Sequence, residues 1–330
     1  MQRDNLCAHA KHGEMLREAF GMHALAERVS TGGDPVVRED ERSACRGGSP
    51  AQEGSKVHRV RLIHPRAVGA GVLRQLLWAT YVPALRIRAR RRLSSLAPGR
   101  ATIVTVNWNS ARYLRVLLDL VEQRSPDGTE IIVVDNASRD DTRAVVARHP
   151  AVRLVRFPTN VGHEIALDTG FLLARTEYVV ALDVDAFPLH DRWLAELTGA
   201  LQSGAEVAGA RLNRQYVHPC CLAMRASRFV ERGHSFRANY VARTETSDAS
   251  GDVGEAISAA EADRVRFFDV TSQRGPGDVG TVFGDLVYHN FYSTRFRATT
   301  DTVLDVHVTN DAAAAAWDEA VARYGAPPSA

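Results

Sequence analysis

The chain has 330 residues, 45% of them hydrophobic, and 41 Lys and Arg against 39 Asp and Glu, a formal net charge of +2. That supplies a core for one large α/β domain with appendages or for two domains, and the small net charge argues against a nucleic-acid protein. The cysteines Cys7, Cys45, Cys220 and Cys221 have no C-x-x-C spacing, and the adjacent pair cannot readily bridge, which leaves reduced thiols in a cytosolic compartment and no zinc site.

Residues 1–57 are rich in Gly, Ser, Glu and Arg, with short apolar clusters such as Met15-Leu16 and Phe20, and are expected to be a disordered tail. No apolar run of about 20 residues occurs, so neither a transmembrane helix nor a signal-peptide core is expected. In the segment 58–98 acidic residues vanish, while arginines accumulate from Arg59 to Arg92. Val72, Leu73, Leu76, Leu77, Tyr81 and Leu85 recur at helical spacing ahead of Arg86–Arg92. Such a helix either lies on an anionic membrane surface or docks on the main domain with its arginines solvated.

The main domain is expected over 99–310. Thr102–Trp108 reads as a buried strand, Asn109-Ser110 as a cap, and Leu114, Leu117, Leu118 and Val121 as one face of a helix. Strands at 130–134, 152–157 and 178–182 alternate with helices at 139–149 and 164–174, a pattern of βαβ units. Ligands of such sheets sit at the carboxyl ends of the strands, where Asn107, Asp135, Asn160, Asp183 and Asp185 fall. Side chains alternate along a strand, so Asp183 and Asp185 are expected on one face about 6 to 7 Å apart. Such a pair repels itself unless a cation is near, which suits a hard divalent ion held with a phosphate. The first strand-to-helix turn, Val106-Asn-Trp-Asn-Ser-Ala111, has no G-x-G-x-x-G and no G-K-[ST] follows, so a nucleotide diphosphate must be neutralised by metal.

Four ordered motifs, Thr102-Ile-Val-Thr-Val-Asn-Trp-Asn-Ser, Ile132-Val-Val-Asp-Asn-Ala-Ser-Arg-Asp-Asp-Thr142, Asn160-Val-Gly162 and Leu182-Asp-Val-Asp185, closely resemble glycosyltransferase family 2. The resemblance implies the GT-A fold, a Rossmann-like α/β architecture with a mostly parallel sheet flanked by helices. It also implies an inverting transferase that moves a sugar from a nucleotide-diphosphate donor to a hydroxyl acceptor with Mg2+ or Mn2+, in cell-envelope or polysaccharide biosynthesis. Carried over, Asp135 accepts the ring N–H of uracil, thymine or guanine. Asn107 and Asn160 line the donor nucleotide site, Asp183 faces ribose or metal-bound water, and Asp185 binds metal. The location implied is cytoplasmic, with peripheral contact on the inner membrane face if the basic helix touches lipid.

After Asn160 the chain departs from the pattern: Asp168-Thr-Gly170 stands where many relatives have a second Asn-x-Gly, so Asp168 is read as structural. His163 either caps the following helix or touches the diphosphate. The Glu-Asp pair that carries the base in many relatives is missing, and Asp252 in Ser250-Gly-Asp-Val-Gly-Glu255 is the substitute, with Glu255 and Asp248 behind it. His289, at the end of an apolar strand, is expected to complete the metal site, while Arg295 and Arg297 are more simply solvated. A mobile loop is read at Pro276-Gly277 and Gly280, core packing for Trp193, Cys220 and Cys221, and a terminal helix within 311–330. Two other functions remain open: a sugar-nucleotide or glycan-binding module without a base, and a sugar-1-phosphate nucleotidyltransferase, whose Gly-rich loop the chain lacks.

Overall fold

The computed structural model describes residues 65–211, 215–238, 252–273, 279–291 and 310–325. The expectations for residues 1–57, Asp248, Pro276-Gly277, Arg295 and Arg297 lie outside the described residues.

A helical rod opens the described chain: α1 (Pro65–Leu76), a π-helical turn (Leu77–Tyr81) and α2 (Val82–Arg92). In the π turn the Val82 N–H reaches back five residues to the Leu77 carbonyl. Pro83 explains the widening: it has no N–H to give, and its ring would strike a carbonyl one turn earlier. The rod has two apolar rows instead of the single expected stripe. Val82, Leu85 and Ala89 are buried, with Leu77, Trp78 and Tyr81 packed against the same core, whereas Val72 and Leu76 face solvent. Two arginines fasten the buried side. Arg86 donates to the carbonyls of Phe229 (2.8 Å) and His234 (2.5 Å), and Arg92 to that of Leu172 (2.6 Å).

There follow β1 (Ala97–Asn107), α3 (Ala111–Arg124), β2 (Glu130–Asp135), α4 (Thr142–Val146), β3 (Val152–Arg156), α5 (His163–Leu173), β4 (Thr176–Leu182), β5 (Ala186–Pro188), α6 (Trp193–Gln202), β6 (Val207–Arg211), β7 (Cys221–Arg225) and α7 (Ala226–Glu231). The rest is α8 (Glu255–Ala260), β8 (Val265–Gln273), β9 (Thr281–Phe283), β10 (Val287–His289) and α9 (Asn310–Tyr324). The strands form one sheet in the order β3-β2-β1-β4-β7-β6-β8-β9-β10-β5. Pairs β3-β2, β2-β1, β1-β4 and β6-β8 are parallel and the other five antiparallel, so the sheet is mixed and its parallel block is the N-terminal βαβ run.

Helices cover both faces of the parallel block, which is why its strands are continuous apolar runs. Ile103, Ile131 and Val133 pack with Leu114, Leu117 and Trp193 on one face, while Val104, Ile132 and Val134 pack with Ile165, Phe171 and Leu85 on the other. Gly170 permits the close approach of α5 to β1, since a Cβ there would lie 2.2 Å from Val104 Cγ1. The helix expected over 139–149 is shorter. Asp140 diverts the backbone before it, accepting the Thr142 N–H (3.2 Å) and hydroxyl (2.5 Å) at one oxygen and the Ala111 N–H (2.9 Å) at the other. Asp140 thereby serves the start of α3, where Ser110 makes no side-chain cap.

Asp168 is fully buried on α5 and ties down the chain after α7, accepting the Ser235 hydroxyl and the Phe236 N–H, both at 2.8 Å. Burial pushes its carboxyl up to about 7, against the pull of those donors and of Arg86. Since this lies above the unfolded value of 3.8, the native protein holds a proton that the unfolded chain releases. Stability from this group is therefore fully present below about pH 4, falls as pH rises toward 7 and then levels off. Melting curves of wild type and Asp168→Asn across that range should converge toward neutral pH as the wild type loses this contribution; parallel curves would contradict it.

Candidate active site

The parallel strands deliver their ends to one side, and loops from the antiparallel half complete a cavity of ≈ 490 Å³. Its wall carries Arg74, Trp108, Asn136, Asn160, His163, Glu164, Asp183, Asp185, His218, Asp252 and His289. A larger groove of ≈ 650 Å³, between α6 and β8, is lined by Glu196, Asp263, Arg264 and Arg266 and holds none of the expected site residues.

Asp183 and Asp185 sit in a turn between β4 and β5, closed by the Ala186 N–H donating to the Asp183 carbonyl (2.9 Å). The turn, and not strand alternation, brings the two carboxylates together. Antiparallel pairing of β10 with β5 sets His289 opposite Ala186. His289 Nε2 then lies 3.1 Å from Asp185 Oδ1 and 3.5 Å from Asp183 Oδ2, and His163 Nε2 lies 3.6 Å from Asp183 Oδ1. One donor atom from each of Asp183, Asp185 and His289 lies within 4.8 Å of the others. Asp185 and His289 are buried, and His289 Nδ1 has no hydrogen-bond partner. Two hard oxygens with one imidazole nitrogen fit Mg2+ or Mn2+.

His218, Cys220 and His289 form a second group within the same span. Burial, followed by the charges of Asp183, Cys221 and Asp185, pushes the Cys220 thiol well up, and burial with Asp183 raises Cys221 to about 12. Both thiols are thus held protonated inside the core.

Asn136 organises the loop before α5. Its Oδ1 accepts the Val161 N–H (2.8 Å), and its Nδ2 donates to Asn160 Oδ1 (3.1 Å) and the Gly162 carbonyl (3.2 Å). Gly162 has φ 99°, in the range that favours glycine, and a Cβ there would lie 3.0 Å from Glu164 Oε2 and 3.2 Å from Arg74 Nε. Asp252 lines the cavity from the start of α8. Its Oδ2 accepts the Tyr216 hydroxyl (3.2 Å), and its N–H donates to Glu255 Oε2 (2.8 Å). Glu255 thus serves the Asp252 backbone.

Asn107 and Asp135 are not on the cavity wall; both are fully buried at paired positions of β1 and β2. Asn107 Nδ2 donates to Ser138 Oγ (3.0 Å) and Thr142 Oγ1 (2.7 Å), while its Oδ1 accepts nothing. Asp135 Oδ1 accepts the Ser138 N–H (3.0 Å); Oδ2 accepts no hydrogen bond, although the Arg156 guanidinium stands 3.4 Å away. Arg74, Trp108, Asn136 and Glu164 were not singled out as site residues from sequence. Asn136 had a signal, since it directly follows Asp135 at a strand end.

A family model described as Glycosyl transferase family 2 matches residues 102–219. The chain is 31% identical over 96 residues to a dolichyl-phosphate beta-glucosyltransferase of Trichomonas vaginalis, covering 26% of this chain and 28% of that one. It is 32% identical over 116 residues to an uncharacterized glycosyltransferase of Mycobacterium tuberculosis, covering 35% and 50%. The chain therefore spans half or less of the length of these relatives. A mannosyltransferase of Pyrobaculum calidifontis, solved with GDP-Man and Mn2+, aligns at 23% identity and TM-score 0.38 over 51% of this chain and 59% of that one.

Asp185→Asn removes one hard ligand charge while conserving shape. It should weaken Mn2+ binding, read by calorimetry, by more than the roughly 10- to 100-fold typical of outer-shell changes. Unchanged Mn2+ affinity with an intact fold would remove Asp185 from the ligand set.

Proposed function

We propose, on the match of residues 102–219 to the glycosyl transferase family 2 model, that the protein moves a sugar, with inversion, from a nucleotide-diphosphate donor to a hydroxyl acceptor. The observation that carries this reading is the meeting of Asp183, Asp185, His289 and Asp252 on the wall of one cavity. Asp183, Asp185 and His289 would hold a divalent ion. When bound, the ion supplies positive charge that stabilises the departing diphosphate. Asn136 and Asn160 shape the donor side of the wall through their mutual hydrogen bond. Asp135, with an oxygen that accepts no hydrogen bond, is proposed to receive the ring N–H of the base, with Asn107 behind it. That assignment requires the donor to open a path to two buried side chains.

Inversion by one displacement needs a carboxylate opposite the leaving group to take the acceptor proton. Asp252 is proposed for this role. Its place on the same wall as Asp183 and Asp185 favours an enzyme over a binding module, and Tyr216 and its own turn orient the carboxylate.

The test is calorimetry of the full chain with UDP, GDP and dTDP, each with and without Mn2+. Binding of one diphosphate that depends on Mn2+ would support the reading and name the donor base, and no binding to any of them would defeat it. Asp252→Asn should keep donor binding and lose about 10²- to 10⁴-fold in transfer rate, the usual range for general-base catalysis. Transfer at the wild-type rate would move the base elsewhere.

A further inference from the structure

The rod of α1, the π turn and α2 leaves one apolar row uncovered. Val72 and Leu76 are each 56% exposed and Ile87 is 53% exposed, three of the four large hydrophobic side chains most exposed among the described residues. Ala79 and Pro83 are exposed between them, so the row runs 72, 76, 79, 83, 87 at helical spacing. The opposite row, with Val82, Leu85 and Ala89, is already spent on the core. The uncovered row ends among the exposed Arg88, Arg90 and Arg91, and no acidic residue occurs between Lys56 and Arg100. No helix among the described residues is long and apolar enough to cross a membrane, so this row suits lying on a bilayer instead of spanning one.

We propose that this outer row is a docking surface for an anionic lipid bilayer, and that it sets the cavity mouth at the headgroup layer. Charge selects this occupant: a cationic cluster beside an apolar row complements anionic headgroups above hydrocarbon. Arg74, on the same rod, lines the cavity beside Gly162. The rod that carries the row thus also contributes to the cavity wall. An acceptor hydroxyl carried on a lipid head group would then reach Asp252 without leaving the surface, a consequence that rests on the glycosyl-transfer reading, whereas the docking itself does not.

The experiment is flotation of the full chain with phosphatidylcholine vesicles, with and without phosphatidylglycerol, at low and high salt. Binding should require phosphatidylglycerol, weaken with salt, fall roughly 100-fold in Arg88→Gln/Arg90→Gln/Arg91→Gln, and vanish in Val72→Ser/Leu76→Ser/Ile87→Ser. These side chains are exposed, so helicity by circular dichroism and Mn2+ binding should be retained and report an intact fold. Absence of flotation, flotation unaffected by the serine variant, or a dimer in solution that the serine variant splits would each overturn the proposal, the last by assigning the row to a second copy. Flotation without any nucleotide binding would defeat the glycosyl-transfer reading alone and leave the docking surface standing.

Discussion

The site depends on the antiparallel seam between β5 and β10. It joins residues a hundred positions apart, setting His289 opposite Ala186 while the Asn290 N–H donates to the Asp185 carbonyl at 2.9 Å. Two carboxylates in a four-residue turn raise each other's energy, and the seam brings the His289 imidazole to 3.1 Å from one and 3.5 Å from the other. The seam is buttressed from behind. Tyr288 donates to Asn290 Oδ1 (2.6 Å), Asn290 donates to the Ala313 carbonyl of α9 (2.9 Å), and Trp317 packs edge-on against Phe187 and Tyr113. Arg124 adds bonds to the carbonyls of Pro188 and Tyr324. The C-terminal helix thus reaches the candidate metal site through a chain of packed and hydrogen-bonded groups, so a cavity cut at Trp317 would be felt at His289.

The parallel block was legible because both of its faces are buried. A strand covered on two sides must be continuously apolar, so Ile131 to Val134 and Val179 to Leu182 announce themselves, and Asp135 and Asp183 then mark where each strand stops. The antiparallel half was less legible. Strands β5, β9 and β10 are three residues each, too short for period-two alternation to register, and their pairing is fixed by long-range contacts. The same limit applies to the carboxylate pair. Alternation put Asp183 and Asp185 on a common face, whereas the fold brings them together by a turn after β4 has ended.

Side-chain direction was the part that spacing did not convey. Asn107 and Asp135 stand at strand ends, as reasoned from sequence, yet they point into the β1–β2 turn network and are fully buried. The polar neighbours Trp108 and Asn136, one residue further on, reach the cavity instead. A one-residue difference at a strand end exchanges faces, and nothing in a local pattern settles which residue is the last to lie in the sheet. The basic rod shows a related ambiguity. Its apolar positions fit helical spacing, but two rows satisfy that spacing at once, and only packing against Phe229 and Leu172 distinguishes the inner row from the outer.

Charge on the cavity wall constrains how ligands enter it. Glu164, Asp183, Asp185 and Asp252 line it, and Arg74 is the one Lys or Arg among its described lining residues. A nucleoside diphosphate brought alone would meet a wall of its own sign, and a divalent cation alone would be held by two carboxylates and a histidine with coordination to spare. Each therefore improves the site for the other, and linkage requires the two gains to be equal. Under the proposed function this reciprocity does the work of the glycine-rich anion nest that β1 lacks. On that reading, anionic groups can face an anionic substrate because a cation would join them.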